Sequence, residues 1–201
     1  MELIRQVKNY QPFNEQEVAD RDLILAQLTK GKAVLYRSQN EAHLTASAWV
    51  LNQERSKVLM VYHNIYDSWS WMGGHADGEE DLLAVALREV KEESGLKFVR
   101  CIQEDIFSLE VLTVDGHWKH GAYISSHLHL NLTYLLEASE EEPLVIKPDE
   151  NSGVAWFSLE GAVEASSEPW LRNHIYTKLN AKLTLIKGLS GNSPIERPVL
   201  S

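Results

Sequence analysis

Cysteine is nearly absent from this 201-residue chain: Cys101 is the only one, beside six prolines and three methionines. One thiol excludes an internal disulfide and any cysteine-based zinc site. Long hydrophobic runs are also missing, and nothing approaches the ~20 apolar residues of a membrane span. The opening residues, with Glu2 followed by alternating polar side chains, do not read as a signal peptide, so a cytoplasmic location is expected. Positive charge is scarce: 19 Lys and Arg stand against 29 Asp and Glu, a formal net charge of −10. That balance argues against a nucleic-acid polymer or an anionic membrane as the main partner. A phosphorylated small molecule stays open, because a bound cation can reverse the local field.

What is present is enough apolar residue, 44% of the chain, to bury a sizeable core in one domain with modest extensions. Residues 14–30 carry Val18, Leu23, Leu25 and Leu28 among charges and predict an amphipathic helix closed by Gly31. This helix belongs to an extension over residues 1–40 that packs on the core or contributes to a homodimer. Residues 43–51 and 57–63 read as strands separated by a polar turn. A further extended run covers 97–114, and the alternation from His127 through Tyr134 is the clearest strand in the chain. A short strand at 154–157 and a helix over 169–187 follow, before a Gly/Ser/Pro-containing tail at 188–201 that is expected to be mobile. Strands on either side of one helix imply an α/β/α sandwich with a mixed β-sheet, its main domain spanning 41–187.

The most informative stretch is 74–96. It sets Gly74, Glu80, Arg88, Glu89, Val90, Glu92, Glu93, Gly95 and Leu96 at fixed intervals. From about 79 to 94 there is neither proline nor internal glycine. Asp77 or a neighbour can cap the helix start, and Gly95 stops its end. At helical spacing Glu89, Glu92 and Glu93 share one face, while Leu83, Ala86, Leu87 and Val90 form the apolar stripe beside it. Three like charges on one face repel unless a cation sits among them, and a hard divalent ion such as Mg²⁺ or Mn²⁺ suits oxygen ligands. Glu79, Glu80 and Asp81 by themselves read as a solvated acidic turn. Gly73 and Gly74 would allow a tight turn and a close backbone approach to phosphate.

Every fixed position of the Nudix box is filled in 74–96, and the chain resembles a Nudix hydrolase, most strongly over residues 43–96 and weakly on to 159. The resemblance implies metal-dependent hydrolysis of a diphosphate linkage in a nucleoside diphosphate derivative by activated water. It assigns Glu89, Glu92 and Glu93 as catalytic metal ligands. Arg88, Glu80, Gly74 and Gly95 become supports of the loop-helix geometry. Relatives carry a further glutamate a few residues before a Trp-containing strand. Glu150, six residues ahead of Trp156, is the counterpart and the candidate for an extra ligand or general base. Trp69 and Trp71 could stack a base, Gly73 and His75 could approach phosphate, and His127 and His129 could hydrogen-bond phosphate or sugar.

Departures from the family pattern leave the substrate open. Met72 replaces the usual proline before the double glycine, and Val111 and Leu112 stand where ADP-ribose hydrolases carry a proline. The tyrosine of dinucleoside polyphosphate hydrolases and the coenzyme A and NADH-pyrophosphatase signatures are absent. Two other activities share this resemblance: an isomerase of prenyl diphosphates, which would need Cys101 as catalyst, and a nucleotide-binding sensor without turnover. The full set of box glutamates favours hydrolysis over the sensor.

Overall fold

The computed structural model describes residues 2–119 and 121–186. Two helices open it, α1 (Glu2–Asn9) and α2 (Glu15–Leu28), followed by a 3₁₀ turn at Lys32–Leu35. Four strands come next: β1 (Ala42–Asn52), β2 (Lys57–His63), β3 (Ser68–Ser70) and β4 (Met72–His75). Helix α3 (Leu82–Ser94) leads to β5 (Val99–Cys101), β6 (Ser108–Val114), β7 (His117–Lys119) and β8 (Ala122–Ile124). Strands β9 (His127–Ala138) and β10 (Asn151–Ser158) precede α4 (Leu159–Ala165), a π-helical turn at Leu171–Tyr176 and α5 (Thr177–Leu183).

The main sheet runs β10-β2-β1-β9-β5, with β3 added to β2, β4 to β1 and β6 to β9. It is mixed because β1 and β9 run parallel over eleven paired residues, Ala42 with Leu128 through Asn52 with Ala138. The other pairings are antiparallel. Every residue of β1 is buried, as a central strand covered on both faces must be.

Strand alternation divides the core in two. Leu44, Ala46, Ala48 and Val50 of β1 join Leu130, Leu132, Tyr134 and Leu136 of β9 in one cluster, covered by Leu3, Val7, Ile24 and Leu28 of the N-terminal helices and by α3. On the opposite face Trp49, Leu51 and Leu135 pack with Ala162 of α4 and with Ile175, Tyr176 and Leu179 near the C-terminus. That second face changes character along its length. Toward the start of β1 and β9 it presents His43, Thr45 and Ser47 beside His129, Asn131 and Thr133. One half of the face is therefore a core and the other half the floor of a polar cavity.

Several boundaries differ from the sequence reading, each for a local reason. Helix α3 starts at Leu82, not near residue 79, because Asp81 is its cap, accepting the Ala84 N–H at 3.0 Å. Its deepest stripe is Leu82, Val85, Ala86 and Val90, with Leu83 and Leu87 flanking. Extended run 97–114 is broken into β5 and β6. Helix 169–187 is a π turn followed by α5, and Lys187 and the 188–201 tail lie outside the described residues. Helices α1 and α4 were not anticipated.

Helix α2 also buries an unexpected face: Val18 is exposed, and Glu17 is wholly buried beside Ile24 and Leu28. Its carboxylate meets Lys178 at 3.2 Å and Lys182 at 2.7 Å, and Lys178 also reaches Glu110 at 3.0 Å. Tyr10 and Ser108 hydroxyls donate to Glu17 at 2.6 and 2.8 Å. Burial alone would raise the Glu17 carboxyl, but the two ammonium groups hold it down at about 2. Two buried carboxylates thus face two buried lysines, and α2, β6 and α5 are joined through them. Removing one partner strands a charge in the interior, so Glu17→Ala should lower stability by about 3–5 kcal/mol. Urea unfolding of the variant against the parent chain measures this.

Candidate active site

Glu89, Glu92 and Glu93 project from the last two turns of α3, which Gly95 ends in the left-handed conformation at φ 74°. The helix lies against β4, and the contact has no room for side chains on that strand. A methyl group at Gly74 would sit 2.4 Å from Cδ of Glu89, and one at Gly73 would sit 2.4 Å from the Ala46 carbonyl oxygen. The turn expected at these two glycines is instead strand, paired with Ser47 and Ala46 of β1. Their smallness, not a special backbone angle, lets the helix carboxylates reach the sheet. The chain turns further on, where Asp77 adopts φ 47° and is clamped by a two-pronged ion pair from Arg37.

The three carboxylates occupy graded environments. Glu93 is 4% exposed and accepts the Gly73 N–H at 3.0 Å. Burial, partly opposed by that hydrogen bond and reinforced by the charges of Glu89 and Glu150, pushes its carboxyl up to about 8. Glu89 is half-buried and raised by burial, against the pull of Arg88, which donates to it at 2.9 Å. Glu92 is exposed, with Arg88 at 3.8 Å and Lys147 at 3.5 Å.

Glu150 comes to the same place by a separate route. Asn151 at the start of β10 donates to the Glu93 carbonyl at 2.9 Å and accepts the Lys147 N–H at 3.2 Å. This lashes segment 147–151 to the end of α3. Lys147 then lies between Glu150, at 3.0 Å, and Glu92. Four carboxylates therefore share two cations, Arg88 and Lys147, and no third cation is paired with them among the described residues. Oxygen donors, burial and uncompensated charge together fit a hard divalent cation. Glu80 stands apart, paired with Lys32 of the 3₁₀ turn.

Beside Glu93 opens a cavity of about 560 Å³, a size suited to a nucleotide-like ligand. Gly73, Gly74, His75 and Glu93 line one side, and Thr45, Ser47, His129 and Asn131 form the floor. Asn131 is held rigidly: its amide oxygen accepts from Thr45 at 3.0 Å and Ser47 at 2.9 Å, and its nitrogen donates to Glu110 at 3.0 Å. Trp71 lines the cavity while packing edge-on against Tyr176. Trp69 does not line it and packs against Tyr62 and Phe157. Tyr66 and Trp170, both exposed, stand at its edge, and sequence reasoning passed over them. Trp170 lies far from the box in sequence, and Tyr66, eight residues before Gly74, falls in a turn that no periodic pattern marks.

Comparison with known proteins agrees with this architecture. The sequence model of the NUDIX domain matches residues 41–178, and the chain belongs to the Nudix family. The fold is similar to that of an Ap4A hydrolase from C. elegans solved as a binary complex, at TM-score 0.53 and 19% identity over 71% of this chain and 98% of that one. It is also similar to a NUDIX-family hydrolase from Clostridium perfringens, at TM-score 0.51 and 20% identity over 71% and 97% of the two chains. A MutT protein from Methanosarcina mazei Go1 aligns at TM-score 0.52 and 15% identity over 72% and 96%. Comparison with curated protein sequences finds no significant match.

The Glu93 shift has a consequence for stability. Its carboxyl titrates at about 8 when folded and near 4.5 when unfolded. The folded metal-free protein therefore holds the extra proton between those values and loses stability as pH rises through them. His129, kept neutral far below its ordinary 6.5, contributes the opposite slope only below that pH. Melting temperature of the metal-free protein should thus fall from pH 6.5 to about 8, and Glu93→Gln should remove that decline in a thermal scan series.

Proposed function

We propose that this Nudix pyrophosphohydrolase cleaves the P–O–P linkage of a nucleoside diphosphate derivative, with Glu89, Glu92 and Glu93 holding Mg²⁺ or Mn²⁺. The observation that carries this reading is Glu93, a buried carboxylate among like charges at the wall of a nucleotide-sized cavity. A divalent ion bound there would neutralise the diphosphate and lower the pKa of a coordinated water. In this reading the Gly73 N–H orients Glu93, so that one oxygen is committed to the backbone and the other is free for a ligand. Arg88 and Lys147 screen Glu89 and Glu92 and keep the carboxylates from splaying apart.

Glu150 is the candidate general base. It sits 3.0 Å from Lys147, which also contacts Glu92 and so places Glu150 beside the box carboxylates. Hydrolysis adds water across the anhydride: its oxygen bonds to one phosphorus, the bridging oxygen leaves on the other phosphate, and the base takes the proton. Thr45 and Ser47, whose hydroxyl hydrogens go to Asn131, offer acceptor lone pairs to donors on the substrate, and Tyr66 and Trp170 offer faces on which a base could stack. The substrate is taken to be a small phosphorylated molecule, and the acidic chain disfavours a nucleic-acid polymer.

The test is phosphate release, coupled to a phosphatase, from nucleoside triphosphates, nucleotide sugars, dinucleotides and ADP-ribose in Mg²⁺ or Mn²⁺. Metal-dependent release that disappears in Glu92→Gln and Glu93→Gln is expected. For the compound cleaved, Trp170→Ala should remove about 1–3 kcal/mol of stacking, a roughly 5- to 150-fold rise in KM with kcat little changed. A folded, metal-binding chain that releases nothing from any compound would count against hydrolysis of nucleotides.

A further inference from the structure

Four of the chain's eight histidines gather at one end of the cavity floor, on three neighbouring strands: His43 on β1, His75 on β4, and His127 and His129 on β9. Parallel pairing sets His43 directly opposite His129, and β4 brings His75 opposite Thr45, two residues along the same face. Ring centroids of His43, His75 and His129 form a nearly equilateral triangle with sides of 4.9–5.0 Å. His127 adjoins it, 4.9 Å from His43 and 5.1 Å from His129. One ring nitrogen from each of His43, His75 and His129 lies within 4.8 Å of the others.

We propose that His43, His75 and His129, with His127 beside them, form a second metal site, separate from the box carboxylates, for an imidazole-preferring divalent ion such as Zn²⁺. Three observations support it. First, His43 is 4% exposed, and its Nε2 meets no hydrogen-bond partner among the described residues. A buried ring nitrogen without a partner is costly unless something occupies the space before it.

Second, the outward nitrogens are arranged as metal-bound histidines require. His43 Nδ1 lies 3.2 Å from the Gln39 carbonyl oxygen, and His127 Nδ1 lies 2.9 Å from that of Ser125. A carbonyl only accepts, so each Nδ1 carries the proton and each Nε2 keeps a lone pair. Donation of the far nitrogen to a carbonyl is the usual support of an imidazole ligand. His127 Nε2 also lies 3.3 Å from His129 Nε2. That matches the separation of about 3.3 Å between two nitrogens of a tetrahedral site with Zn–N near 2.0–2.1 Å.

Third, the ring nitrogens that converge here belong to imidazoles alone, and the neighbouring Asp77 carboxylate is engaged by Arg37. The donor set contains no carboxylate, so it selects against Mg²⁺ and for zinc-like ions. His75 and His129 line the cavity that Glu93 also lines, so the ion would stand at the cavity wall as a second positive centre.

The untagged full-length chain, stripped with a chelator and held in excess Mg²⁺ to fill the carboxylate site, can be titrated with Co²⁺. One equivalent should produce the intense visible d–d absorption of a nitrogen-rich, low-coordinate ion, and one equivalent of Zn²⁺ should bleach it. His129→Gln and the more exposed His75→Gln should each weaken uptake by more than about 100-fold, with circular dichroism confirming a folded chain. Glu93→Gln should leave the band intact, so this site and the hydrolytic reading stand or fall separately. Absence of stoichiometric uptake by the parent chain, or uptake unchanged in both histidine variants, would overturn the proposal.

Discussion

The architecture turns on how closely α3 approaches β4. Two carboxylates on the inner side of a helix can reach a sheet only where the facing strand has no side chains, and Gly73 and Gly74 provide that strip. Once the helix is seated, Glu93 is buried against the Gly73 amide and Glu89 fills the space above Gly74. The apolar residues Leu82, Val85, Ala86 and Val90 supply the burial that holds the helix down against the repulsion of its own carboxylates. Packing thus leaves Glu93 either holding a proton or facing a cation, and the same seating puts that cation's ligands at the wall of the cavity.

A second organising layer lies beneath the cavity floor. Asn131 joins Thr45 and Ser47 of β1 to Glu110 of β6, and Glu110 passes the connection to Lys178 of α5 and, through Ser108, to Glu17 of α2. The N-terminal helices and the C-terminal helix are therefore tied by buried charge to the residues that shape the site. Such a network is worth little in net stability compared with an apolar core, but it is intolerant of partial loss. Its apparent role is geometric: it fixes which face of α2 and α5 meets the sheet, and with it the orientation of the cavity floor.

How much of this could be read from sequence depended on whether the informative contacts were local. Glu89, Glu92 and Glu93 fall on one helix face by spacing alone, and both the box helix and strands β1, β2 and β9 emerged from periodicity. The proximity of Glu150 was anticipated only by resemblance, since its approach depends on Asn151 reaching the end of α3. The buried pairing of Glu17 with Lys178 is not legible in the sequence, because a helical wheel cannot reveal that two distant helices bury opposite charges together. The histidine cluster was half visible: His127 and His129 share a strand face by alternation. His43 and His75 join them only through the parallel β1–β9 pairing and the β4 edge, neither of which a linear pattern encodes.

The seated box helix creates a demand for a divalent cation at Glu93 even before substrate arrives. Electron paramagnetic resonance of free Mn²⁺, titrated with the chain in the absence of any phosphate compound, reads that demand directly. The parent chain should deplete the free-ion signal, and Glu93→Gln should abolish the depletion while the protein stays folded. Equal depletion by the parent and the variant would contradict it, showing that the buried carboxylate is not what holds the ion.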